Sequence, residues 1–224
     1  MQVGNARYLT AADFPETLPV FPLTGALLLP AGQLPLNIFE PRYLEMFDAA
    51  LRSNRLIGMI QPALTEPYEI SHGVPALCSM GCIGRITSFA ETGDGRYILS
   101  LAGICRFRMV EEVKTSHPFR TARISPFMAD LASESQENSV DRDRLLEVFR
   151  AYLDANKLEA DWDSVQRASN LTLVNSLSMM SPFTPAEKQA LLEATDLHSR
   201  TETLIAITEI YLARGLNDAD PVLQ

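Results

Sequence analysis

The sequence predicts an α+β protein, with a β-rich first half that carries one helix and a helical second half. Three observations predict it. Apolar residues alternate with a period of two between Gly81 and Val110, they recur with a period of 3.6 beyond residue 140, and a polar, acidic, Ser-rich segment separates the two regimes. The expected divisions are a β-rich unit over 1–127, an acidic linker over 128–139 and a helical bundle over 140–216. With 224 residues, 46% of them apolar, the chain is long enough to bury a core without disulfides.

From Pro19 to Leu36 short apolar runs are broken by Pro and Gly, which reads as strand, loop, strand. Pro41 suits the first position of a helix, and Tyr43, Leu44, Phe47, Ala50 and Leu51 follow at helical spacing. A helix from Pro41 to about Ser53 is expected. Leu56 to Gln61 is a short buried strand, and a loop through Glu66, Pro67 and His72 leads to an alternating strand from Gly81 to Phe89. Thr92-Gly93-Asp94-Gly95 reads as a hairpin turn into a strand from Arg96 to Leu101. Gly103 reads as a further turn, followed by strands from Ile104 to Val110 and from Phe119 to Phe127.

Met128 to Ser139 has the composition of a linker or surface loop. Beyond it, Leu145, Leu146, Phe149, Tyr152 and Leu153 form one helical stripe, and Val165, Ala168, Leu171, Val174 and Leu177 form a second. Asp163 and Gln166 have capping-box spacing at the start of that second helix. Thr184-Pro185-Ala186-Glu187 supplies an N-cap, an N1 proline and an N3 glutamate for a third. A fourth runs from about Leu197 to a stop at Gly215.

The net charge of −9 is unevenly placed. Residues 1–125 hold 11 basic and 11 acidic side chains, whereas 126–224 hold 8 and 17. An acidic surface repels phosphate backbones, which disfavours nucleic-acid binding by the second half. The first twenty residues lack the apolar core of a secretory signal, and the longest apolar stretch, Ala26 to Leu36, falls short of the roughly 20 residues of a membrane helix. Three cysteines without a disulfide-scaffold spacing suggest reduced thiols and a cytoplasmic protein.

Catalytic motifs are missing where chemistry would need them. None of the lysines, Lys114, Lys157 and Lys188, follows a glycine, so no P-loop exists to surround the phosphates of ATP. No Gly-x-Ser-x-Gly turn presents a nucleophile, and His72, His117 and His198 lie far apart. Cys78, Cys82 and Cys105 with His72 could supply zinc ligands, but core thiols explain them as well, and no metal or cofactor is assigned. Arg85, Arg96, Arg106 and Arg108 alternate out of the apolar strand faces. They are either a binding row for acidic peptide or phosphate, or a solvated face paired with Glu91, Glu111 and Glu112. Leu27, Leu28 and Leu29 are either core or an exposed ridge for unfolded chains. Glu40 and Arg42 are placed to pair at the helix start.

The run Phe21-Pro22-Leu23, then Leu29-Pro30-Ala31-Gly32, Leu34-Pro35-Leu36 and above all Ile38-Phe39-Glu40-Pro41-Arg42-Tyr43 resembles the start of the substrate-binding domain of Lon proteases. Gly81-Cys82-Ile83-Gly84-Arg85-Ile86, Gly93-Asp94-Gly95-Arg96-Tyr97 and Gly103-Ile104-Cys105-Arg106-Phe107-Arg108 resemble that family's later strands in order, and the resemblance covers about Leu18 to Leu212. It implies a PUA-like β pseudo-barrel followed by a helical bundle. In Lon proteases such a domain captures unfolded or tagged protein for an ATPase ring and a serine-lysine peptidase, and neither of those is matched here. Asn37 departs from the family, whose members often carry histidine before the Ile-Phe-Glu-Pro-Arg-Tyr motif. The motif Phe39, Glu40, Pro41, Arg42 and Tyr43 is expected to be structural, so no catalytic residue carries over.

The expectation is a non-catalytic module for unfolded or tagged polypeptides, an adaptor or holdase with a possible protease partner, using Leu27, Leu28, Leu29, Arg85, Arg106 and Arg108. The competing expectation is RNA binding, since PUA-like folds often bind RNA and arginines suit phosphates.

Overall fold

The computed structural model describes residues 1–63 and 75–218. A small hairpin, β1 (Gln2–Val3) and β2 (Ala6–Arg7), precedes β3 (Thr17–Pro22), β4 (Gln33–Ile38), α1 (Pro41–Leu51) and β5 (Leu56–Pro62). Two long strands follow, β6 (Leu77–Glu91) and β7 (Tyr97–Val113), and then β8 (Arg120–Pro126). The helical half comprises α2 (Arg142–Asn156), α3 (Trp162–Arg167), α4 (Asn170–Met180), α5 (Pro185–Glu193) and α6 (Leu197–Asp218). The α+β class expected from the two periodicities is the one observed. The loop expected through Glu66, Pro67 and His72 lies outside the described residues.

The main sheet has the order β4-β7-β6-β5-β3-β8, and β8 also pairs with β7. Strands β3, β5, β6, β7 and β8 therefore close into a ring, with β4 appended to it. The length of β7 makes this possible: Tyr97 to Ala102 pairs with β4, and Phe107 to Val113 pairs with β8. Every pairing is antiparallel except β3 with β5, which is parallel, and the crossover between those two strands contains β4 and α1.

Gly103 is not a turn, as the sequence suggested, but an interior residue of β7. A Cβ there would lie 2.0 Å from the Leu29 carbonyl oxygen, so the glycine is required by close backbone approach rather than by a reversal of the chain. The stripe from Val165 to Leu177 likewise does not make one helix. Ala168 is extended, and the Ser169 side chain accepts the Thr172 N–H to start α4 afresh. The N-cap of α3 is Asp161, whose carboxylate accepts from Asp163 and Ser164, and not Asp163. Gly215 lies inside α6 instead of ending it. Met128–Ser139 forms 3-10 turns, and within it Asp130 is buried.

Two apolar clusters organise the molecule. One draws Leu18, Ile60, Ile83, Phe107 and Ala122 from all five ring strands. The other packs Leu28, Leu29, Phe47, Ile57 and Leu101 against Leu145, Val174, Leu191 and Ile205 of the helical half. Each such side chain contributes on the order of 1.5–3 kcal/mol when fully buried, so the second cluster couples the sheet to the helices.

Candidate functional site

A groove of about 440 Å³ lies between the end of β3, the length of β4 and the first turn of α1. It is larger than the cleft of about 260 Å³ between the N-terminal hairpin, Gln33, Thr87 and Gly103. Local sequence dictates its shape. Glu40 is extended (φ −74°, ψ 129°) and Pro41 occupies the first position of α1, so the chain turns sharply out of β4 into the helix. Phe39, at the corner, is left 63% exposed.

Phe21 forms the floor, its ring 4.5 Å from that of Tyr43 and 5.9 Å from that of Phe47. Pro22, Leu23, Pro35 and Phe39 add apolar wall. The rim is polar and internally neutralised: Arg42 Nη2 donates to Glu40 Oε2 at 2.7 Å, and the Arg42 guanidinium lies 4.7 Å from the centre of the Tyr43 ring. The pairing of Glu40 with Arg42 expected from sequence is therefore present. Burial pushes the Tyr43 phenol up, against the pull of Arg42. Among the lining residues there is no Cys, His, Lys or Ser. The lining offers mainly apolar and aromatic contact.

The groove's Thr24 wall is braced from behind. Buried Gln61 accepts the Gly25 N–H at 3.0 Å and donates to the Pro185 carbonyl and the Gln189 side chain, while Lys188 Nζ donates to Gly25 O at 3.0 Å. Burial holds the Lys188 ammonium below its usual value.

The residues singled out from sequence do not converge on one surface. Leu27, Leu28 and Leu29 are 3%, 2% and 0% exposed, so they are core and present no ridge. Arg106, expected to stand outward beside Arg108, is buried. Its Nε and Nη2 donate to the Asp130 carboxylate at 2.9 and 2.8 Å, and its Nη1 donates to the carbonyls of Leu192 and Ala194. Arg85 is committed to Tyr8 Oη, Asn54 O and Asn5 Oδ1. Arg96 pairs with Asp94 in the hairpin, and exposed Arg108 lies 5.8 Å from the centre of the Phe127 ring. Glu111 and Glu112 pair with Arg123 and Arg120 instead of with the expected arginines. The arginine row expected for phosphate or acidic peptide is thus dispersed. The five motif residues expected to be structural, Phe39 to Tyr43, border the groove, and all but Pro41 line it.

Arg106 belongs to a junction that sequence reasoning missed. Buried Arg200 donates Nε to Leu191 O at 3.0 Å and Nη1 to Asn175 Oδ1 at 3.1 Å, and Asn175 donates to Pro30 O at 2.8 Å. Burial, reinforced by the Arg106 charge, pulls the Arg200 guanidinium down to about 10. Burial also lowers Arg106, but the hydrogen bond and charge of Asp130 outweigh it. One signal was available: Arg200 falls on the apolar stripe of Leu197 and Leu204.

Cys82 and Cys105 are buried in the two different clusters, and all three thiols are free. Burial raises Cys82 well above the ordinary thiol value and Cys105 to about 12. Among the described residues no helix is long and apolar enough to cross a membrane.

A five-strand ring extended by one edge strand and backed by helices defines an α+β domain with an apolar groove where β4 meets α1. Residues 17–209 match the model of the ATP-dependent protease La (LON) substrate-binding domain, and the chain belongs to that family. It is 27% identical over 203 residues to Lon protease 2 of Myxococcus xanthus, covering 87% of this chain but 24% of that protein. It is 30% identical over 122 residues to the Lon protease of Anaeromyxobacter dehalogenans, covering 54% of this chain and 14% of that one. The chain thus spans about a quarter or less of these relatives' length. The fold is shared with the N-terminal domain of a Mycobacterium avium complex Lon protease (TM-score 0.65, 19% identity, 86% of this chain and 98% of that one). It is also shared with a Lon N-terminal domain protein from Xanthomonas campestris (TM-score 0.60, 23% identity, 85% and 97%).

Proposed function

We propose that this protein is a polypeptide-binding module that holds apolar segments of unfolded or tagged chains in the groove of β3, β4 and α1, acting as a cytoplasmic adaptor or holdase. The observation that carries this reading is Phe39, a large apolar side chain 63% exposed at the mouth of a groove of about 440 Å³. Membership of a substrate-binding family supports it. The lining favours contact with uncharged apolar side chains, and its single ion pair is satisfied internally. The task needs neither nucleotide nor cofactor.

The test is fluorescence anisotropy of a labelled, permanently unfolded polypeptide titrated with the protein, with a labelled RNA as control. Saturable polypeptide binding is expected, weakened about tenfold or more by Phe39→Ser with unchanged thermal stability, as for loss of an aromatic anchor. Binding to RNA alone, or equal affinity in the folded variant, overturns the assignment.

A further inference from the structure

Strand β4 borders the sheet. Its partner is β7, and its other edge pairs with no strand among the described residues. The direction of its backbone groups follows from the ladder. Gly103 N–H donates to Gly32 O at 2.9 Å, and Gly103 O accepts from Ala31 N–H at 3.0 Å across a bulge at Ala31 (φ 62°), so Gly32 directs its carbonyl to β7 at a hydrogen-bonding position. Such positions alternate along antiparallel strands. Leu34, Leu36 and Ile38 therefore turn their amides and carbonyls toward β7, and Gln33, Pro35 and Asn37 turn theirs to the open edge. Pro35 fixes the same phase independently, because a residue without an N–H is tolerated in a strand where that direction faces away from the partner.

The open edge thus presents three carbonyls, at Gln33, Pro35 and Asn37, and two N–H groups, at Gln33 and Asn37. It carries no lysine or arginine, so Pro35 is the one residue of β4 that limits indiscriminate pairing at this edge. Pro35, Leu36, Asn37 and Ile38 also line the groove, so edge and groove are one continuous surface.

We infer that the polypeptide is held as an added β-strand on the open edge of β4, its backbone bonded to Gln33, Pro35 and Asn37, with side chains on one face of the added strand directed into the groove beside Phe39. This rests on the polypeptide-binding reading above and specifies its occupant: an extended segment with an apolar residue at every second position. Pro35 argues against a second copy of this chain. A β4–β4 pair centred on Pro35 would set two residues lacking N–H opposite each other and lose both central bonds, whereas a foreign strand loses one.

The experiment uses a fluorescein-labelled peptide of alternating leucine and threonine with lysines at one end, alongside two forms N-methylated at alternate amides in opposite phase. The plain peptide should bind, one methylated phase should lose binding and the other should retain it, because only every second amide of an added strand faces β4. Asn37→Pro, which removes an N–H that the β7 ladder does not use, should weaken binding about five- to tenfold, as expected for one net hydrogen bond, with an unchanged circular dichroism spectrum. Equal affinity for both methylated phases overturns strand addition while leaving groove binding intact. Failure of the plain peptide, with the unfolded polypeptide still bound, does the same. Failure of both probes overturns the function as well. A dimer seen by sedimentation in the unaltered protein and lost in Asn37→Pro assigns the edge to a second copy and overturns the inference.

Discussion

The junction between β7 and the helical half buries charge, whereas the groove of β3, β4 and α1 exposes apolar surface. At the junction Arg106, Asp130 and Arg200 are 5%, 9% and 3% exposed, and every one has hydrogen-bond partners. At the groove Phe39 is 63% exposed beside two prolines and a leucine. Each region inverts the ordinary distribution of side chains, with opposite consequences. Buried charge that is fully bonded admits one arrangement of sheet against helices, while exposed apolar surface remains available to whatever can cover it.

The contrast breaks most severely at Asp130. Asp130→Ala leaves the buried Arg106 guanidinium without its carboxylate and should cost about 3–5 kcal/mol, read as a fall of the thermal midpoint by roughly 10 °C. Leu28→Ala, on the packing that couples the two halves, should cost about 3 kcal/mol through the cavity it leaves, checked by urea unfolding. Phe39→Ser should shift stability by no more than about 0.5 kcal/mol while weakening polypeptide binding, the reverse of the two junction variants. A smaller effect concerns the thiols. In the native protein at pH 8 a thiol-reactive disulfide reagent should modify Cys78 alone, and unfolding should release Cys82 and Cys105. Because burial raises both of those groups in the folded state, the unfolded thiols ionise first, so their contribution to stability is present below pH 9 and declines as pH rises beyond it.

Local chemistry was legible in the sequence. Thr184, Pro185 and Glu187 form the cap they spell, with reciprocal hydrogen bonds, and Pro41 opens α1. Long-range burial was not. Alternation placed Arg106 and Arg108 on one outward face, and they do share a face, but the helical half covers it at Arg106 and leaves Arg108 exposed. Asp130 sits in a Ser-rich acidic stretch that has no periodicity to mark it as buried. Gly103 read as a turn because a glycine required by a neighbouring backbone and one required by a reversal look alike in one dimension. Phe39 was recognised within the motif, but its exposure was not legible, since it depends on the corner that Pro41 imposes.

The groove's lining comes entirely from Phe21 to Tyr43, the end of β3 and the first part of the crossover that leads from it to the parallel strand β5. A surface encoded so locally behaves as a cassette. Under the binding mode proposed above, its specificity would change with one short stretch of the gene while β5 keeps its place in the ring.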